Sequence, residues 1–235
     1  MVAQGAQSPG GMAERAESRR LKIAFLGSHG VGKTTLCFEL AARLKRRDLS
    51  VDMVKEVARA CPLPLNRDTT PDAQAWILHT QIANEIEAMC RHDVLVCDRS
   101  VLDNYAYMVH KYGRTRVFDQ LVSSWIPTYD LLVKVPILSP PRFDGIRDTG
   151  GEYQLEIDRQ IETLLKDFRV DCVRLPAWSR DTWIDQVLAS LPIAAEQLGL
   201  FEETSSGPGA RPEAPAGGGG GGRPEAGPRP GTSKG

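Results

Sequence analysis

Leu21-Lys-Ile-Ala-Phe-Leu26 leads into Gly27-Ser-His-Gly-Val-Gly-Lys-Thr34, and a helical pattern runs on from Thr35 to Lys45. A short apolar run, a GxxxxGKT loop and a helix in that order form a phosphate-binding loop in the strand-loop-helix context that the motif requires. Gly27, Gly30 and Gly32 let the backbone N–H groups around Ser28, His29 and Val31 turn inward on phosphate oxygens, and the following helix aims its positive end at the same point. Lys33 then reaches the outer phosphates, the Thr34 hydroxyl ligates magnesium, and Thr35 opens the helix beside them. His29 fills a permissive position of the loop.

Outward from this loop, short apolar runs alternate with longer helical patterns. Strands are predicted near 21 to 26, 51 to 55, 94 to 97, 130 to 135 and 171 to 175. Helices follow from the spacing of Leu78, Ile82, Ile86 and Met89, then of Ile157, Ile161, Leu164, Leu165 and Phe168, and finally of Ile184, Val187, Leu188 and Leu191. Such alternation predicts an α/β fold, a parallel sheet covered by helices on both faces. Ligands of such sheets lie at the carboxyl ends of the strands, so the residues after each strand carry the interest.

The chain has 235 residues and a formal net charge of −1, without the dense basic stripe that a nucleic-acid partner calls for. No segment reaches the length of a membrane span, and the first twenty residues lack a signal-peptide core. The five cysteines (37, 61, 90, 97 and 172) contain no CxxC pair and read as reduced, buried thiols of a cytoplasmic protein. From about Gly207 the sequence is Gly, Pro, Arg, Glu and Ala with nothing to bury, which predicts a disordered tail over 207–235. Residues 1–20 read as an extension, with a second methionine at Met12, and 21–200 as one domain.

Two strand ends carry charged residues suited to chemistry. The third strand ends in Cys97-Asp98-Arg99-Ser100, where Asp98 either organises magnesium through a water or caps the helix starting at Val101. Arg99 presents a planar cation that can fork onto a phosphate or hold an acceptor group. The second strand delivers Glu56 and Arg59, and Glu56 suits the task of orienting an acceptor hydroxyl and taking its proton. Asp103 and Tyr107, one turn apart, are candidates to line an acceptor pocket, as are Trp76 and His79 on the preceding helix. Pro136 to Glu152 is a long Pro- and Gly-rich loop whose Arg142, Asp144 and Arg147 suit a lid over the transferring group.

GSHGVGKTT, KEVAR, DRSVLDNYAYM and FDGIRDTGGEYQ together resemble the P-loop kinase relatives, within the AAA-type ATP-binding families, that include the ribosylnicotinamide kinase domain of bacterial NAD regulators. The DRS element and its helix are also similar to deoxynucleoside and thymidylate kinases. The resemblance, over about residues 21 to 195, implies a P-loop three-layer sandwich with strand order 2-3-1-4-5 and ATP with Mg2+ as phosphoryl donor. It assigns Lys33 and Thr34 to ATP and magnesium, Asp98 to magnesium, Glu56 to the acceptor hydroxyl and Arg147 to the lid. The implied partner is a small acceptor of the nucleoside or nucleotide class, with homo-oligomerisation left open. After Glu56 the chain lacks the proline and paired glycines of thymidylate kinases, which argues against a monophosphate. A partner-coupled ATPase is the rival reading. A GTPase is disfavoured, since there is no NKxD guanine reader and the DxxG at Asp148 falls in the lid loop. A motor needs a helical lid domain, and one helix is all that fits between the last strand and the tail.

Overall fold

The computed structural model describes residues 20–65, 68–138 and 151–192. Five parallel strands form one sheet in the order β2-β3-β1-β4-β5: β1 (Leu21–Leu26), β2 (Val51–Val54), β3 (Val94–Asp98), β4 (Leu131–Lys134) and β5 (Val173–Arg174). Among the described residues six α-helices accompany them: α1 (Lys33–Lys45), α2 (Pro71–Arg91), α3 (Val101–Tyr112), α4 (Arg116–Trp125), α5 (Gly151–Asp167) and α6 (Trp183–Ala189). The α/β class and the strand order are those expected. Residues 1–19 of the predicted extension, the predicted tail, residues 193–200 of the predicted domain, and Arg142, Asp144 and Arg147 of the predicted lid lie outside the described residues.

β1 lies between β3 and β4, with Ile23 opposite both Val96 and Leu131. Its period of two sends side chains into two cores. Leu21, Ile23 and Phe25 pack with Leu36, Leu40, Trp183 and Val187 under α1 and α6. Ala24 and Leu26 pack with Leu78, Leu102, Tyr105 and Ile161 under α2, α3 and α5. Two lysines on that second face, Lys22 and Lys134, are buried and ion-paired, to Glu85 at 3.1 Å and to Asp158 at 2.7 Å.

Some boundaries differ from expectation. β5 shrinks to two residues because it pairs with β4 alone, through Val133–Val173 and Lys134–Arg174. α4 has no counterpart in the sequence reading, although Phe118, Leu121, Val122 and Trp125 recur at helical spacing and pack on the core, Val122 fully buried. Of the cysteines, Cys37 and Cys97 are buried, whereas Cys90 is exposed on the outer side of α2, contrary to the expectation of buried thiols throughout. No described helix is long and apolar enough to cross a membrane.

Candidate active site

The loop between β1 and α1 is built from left-handed glycines. Gly27 has φ +149°, and a Cβ there would lie 3.0 Å from the carbonyl oxygen of Val135, just past β4. Gly32, at φ +94°, caps α1 without a side chain, and the first turn of α1 holds no acid. The N–H groups at that helix start therefore keep their positive potential directed at the loop. Lys33 folds back over the loop, its Nζ donating to Gly27 O at 2.7 Å and Ser28 O at 2.6 Å. Burial, aided by the Arg99 cation, lowers its pKa from 10.5 to about 7. Such an ammonium is poised to gain from an anion, because phosphate oxygens would supply the stabilisation that water cannot reach to provide.

Asp98 ends β3 beside the loop, and Thr34 Oγ1 donates to its Oδ2 at 2.5 Å. Two oxygen donors meeting at the phosphate loop fit a hard divalent cation such as magnesium. The helix-capping alternative for Asp98 is taken instead by Ser100, whose hydroxyl accepts from Leu102 N and Asp103 N, while Asp103 reaches back to Ser100 N in a capping box. Asp98 is left to face Thr34.

Arg99 ties the end of β3 to the end of β2. Its Nε and one terminal nitrogen donate to Glu56 Oε1 at 3.0 and 2.8 Å, and its other terminal nitrogen lies 3.4 Å from Asp103 Oδ2. Arg59 Nε donates to the second oxygen of Glu56 at 2.9 Å. Burial opposes the charge of Arg99, but Tyr107, Glu56 and Asp103 outweigh it and hold the pKa well above the usual range. The residue adopts φ +106°, a backbone state that costs a non-glycine residue about 1–3 kcal/mol. Its guanidinium lies 5.1 Å from the Tyr107 ring centroid, and the Tyr107 hydroxyl is 3.3 Å from His29 Nδ1 in the phosphate loop. Glu56, Arg99, Tyr107 and His29 thus run continuously from the end of β2 to the loop. Asp103 is buried, which raises its pKa, and bonds within the β3–α3 turn and to Arg99.

Residues 22–182 match the family model described as an AAA domain. The chain belongs to this AAA-domain family. No curated protein matches it by sequence. Solved structures similar to this AAA domain include the deoxyadenosine kinase of M. mycoides, described with dCMP and dCDP, at 17% identity and TM-score 0.53 over 72% of this chain and 97% of that one. Thymidylate kinase from Ehrlichia chaffeensis aligns at 15% identity and TM-score 0.54, again over 72% and 97%. NadR in complex with NR aligns at 21% identity and TM-score 0.57, over 75% of this chain and 53% of that one, so the AAA domain spans about half of NadR. The shared fold is that of nucleoside- and nucleotide-kinase-like P-loop proteins.

Sequence reading missed two residues that the AAA domain brings to the loop. Gln154 of α5 is buried and donates to the His29 carbonyl at 2.7 Å. Arg180, in a 3-10 turn before α6, places a guanidinium nitrogen 3.4 Å from where a Gly32 Cβ would stand. No spacing rule links either residue to the loop. Trp76 and His79 are not gathered into the site: His79 is exposed, bonds Ala75 O and faces Phe118 of α4.

Proposed function

We propose that this AAA-domain protein is an ATP-dependent kinase that transfers the γ-phosphoryl group to a small acceptor of the nucleoside or nucleotide class, a nicotinamide riboside-like compound included. The observation that carries this reading is the buried Glu56 carboxylate held between Arg99 and Arg59 beside the phosphate loop. Hydrolysis alone gives no reason to build such an acceptor side, whereas a hydroxyl to be phosphorylated needs an oriented hydrogen-bond acceptor. Both carboxylate oxygens of Glu56 are held by guanidinium groups, one by Arg99 and the other by Arg59. The contribution of Glu56 is then mainly to hold the hydroxyl in line, which suits a loose phosphoryl-transfer transition state that asks little of a base.

Lys33 and Arg99 supply positive charge at the transferring group, the loop amides hold the phosphates, and Arg147 is assigned to close over them. Thr34 and Asp98 would hold magnesium, which when bound neutralises charge on the donor phosphates. On the donor side, a groove of about 390 Å³ between α1 and α6 is lined by Thr35, Glu39, Arg43, Arg46 and Arg180. It adjoins the loop and has the size of a small-molecule site, and we assign it to the nucleoside of ATP.

ADP release measured with MgATP against purine and pyrimidine nucleosides, their monophosphates and nicotinamide riboside tests the reading. Full-rate hydrolysis without acceptor and no stimulation by any compound would replace it with a partner-coupled ATPase. Asp98→Asn is expected to raise the magnesium concentration for half-maximal turnover by about 10- to 100-fold, and an unchanged magnesium titration would remove Asp98 from the metal site. Arg180→Ala is expected to raise the KM for ATP about tenfold with kcat nearly constant, the signature of lost uniform binding. A fall in kcat at constant KM would instead put Arg180 at the reacting phosphate.

A further inference from the structure

Beneath the β3–α3 turn, on the side away from the phosphate loop, lies a buried polar cluster with no place in the chemistry so far described. Glu85 of α2 is fully buried and accepts four hydrogen bonds. Its Oε1 takes Tyr129 OH at 2.7 Å and Gln81 Nε2 at 2.9 Å. Its Oε2 takes Trp125 Nε1 at 2.7 Å and Lys22 Nζ at 3.1 Å. The Lys22 ammonium also donates to Thr128 Oγ1 at 2.9 Å and sits over the rings of Trp125 and Tyr129, 4.6 and 5.1 Å from their centroids. A buried carboxylate with all four donors in place is stable, and removing any one exposes the cost of burying the rest.

Two bonds leave this cluster, and both end on the turn that carries Arg99. Gln81 Nε2 donates to the Arg99 carbonyl at 3.2 Å, and Tyr129 OH accepts from Val101 N at 3.0 Å. Glu85 sets the direction of each. Because the Tyr129 proton goes to Glu85, its lone pair is available to Val101. Both neighbours of the Gln81 nitrogen are acceptors, so the amide can point one way alone, and its Oε1 is left buried without a hydrogen-bond partner. The peptides on either side of Ser100 are thereby gripped, the one beginning at the Arg99 carbonyl and the one ending at Val101 N. A left-handed non-glycine residue persists where surrounding structure over-determines it.

We propose that Gln81 and Tyr129, oriented by the Lys22–Glu85 pair, are positioning residues for phosphoryl transfer. They hold Arg99 in its left-handed state so that its guanidinium spans Glu56 and Asp103. The proposal rests on the kinase reading for its kinetic consequence, though the grip on the turn is independent of it. Pairing a charge this deep also explains why α2, which sends no side chain to the reacting groups, carries Gln81 and Glu85 one turn apart on its buried face.

The test compares Gln81→Met and Tyr129→Phe, which keep side-chain volume, in the full chain by two measurements. Hydrogen exchange at the Val101 amide should lose protection by about tenfold or more in each variant, while amides of α1 stay protected. With the nucleoside that gives the fastest ADP release, Gln81→Met should lower kcat about 10- to 100-fold and leave ATP affinity within about twofold. In an Arg99→Ala background the same substitution should change kcat less than about twofold, because its effect passes through Arg99. Unchanged Val101 exchange, or a kcat loss that adds fully to that of Arg99→Ala, overturns the proposal. Should the wild type show no acceptor-stimulated turnover, the kinase reading fails, and the exchange measurement alone decides whether the cluster holds the turn.

Discussion

Lys33→Ala is expected to cut turnover about a thousandfold while leaving the protein folded. The lysine is buried at the phosphate loop, where burial and Arg99 disfavour its charge in the free protein. Alanine relieves that cost and withdraws a donor from the Gly27 and Ser28 carbonyls, at about 1 kcal/mol for each bond. The two effects oppose each other, so calorimetry should find a Tm within a few degrees of wild type. Turnover suffers without such compensation, because negative charge gathers on the transferring phosphoryl group and the loop holds no other lysine or arginine. A folded variant with wild-type kcat would sink the assignment of the loop to catalysis.

Glu56→Gln is the second large effect, a loss of about a hundredfold in acceptor-dependent ADP formation. The substitution keeps the shape of the side chain and removes its charge, so Arg99 and Arg59 lose the anion they converge on. ATP affinity should hold, since the phosphate loop, Lys33, Thr34 and Asp98 are on other strand ends and keep their contacts. If Glu56 orients the hydroxyl rather than taking its proton, kcat falls by a similar factor across pH. A pH–rate profile of wild type and variant separates the two roles: a limb that vanishes with Glu56 identifies a base. Unaltered acceptor-dependent turnover would remove Glu56 from the acceptor site.

The phosphate loop was legible because its chemistry is local. Glycines that reach positive φ, a lysine and a hydroxyl within eight consecutive residues need only a strand before and a helix after, and both are visible as apolar periodicity. Asp98, Arg99 and Glu56 were legible at one remove, as charged residues closing apolar strands, since a parallel sheet brings its carboxyl ends to one edge. The salt bridge between Glu56 and Arg99 was not, for the two lie 43 positions apart and neither names the other. Helix α4 was overlooked although its signal is local: Phe118, Leu121, Val122 and Trp125 recur at helical spacing and face the core.

The α/β alternation, the phosphate loop and the charged strand ends are written in short stretches of chain, because backbone propensity and hydrophobic period act over a few residues. Tertiary structure decided the partners. It gave the cap of α3 to Ser100 and left Asp98 to Thr34, clamped Glu56 between two arginines, and set Arg180 over Gly32 and Gln154 on His29. It also joined Lys22 of β1 to Glu85 of α2, whose cluster grips the turn at Arg99. Apart from the Ser100 cap and the Glu56–Arg59 pair, which are local, these contacts join groups distant in the chain, and the need to satisfy buried polar groups without water appears only once the sheet and its helices have closed around them.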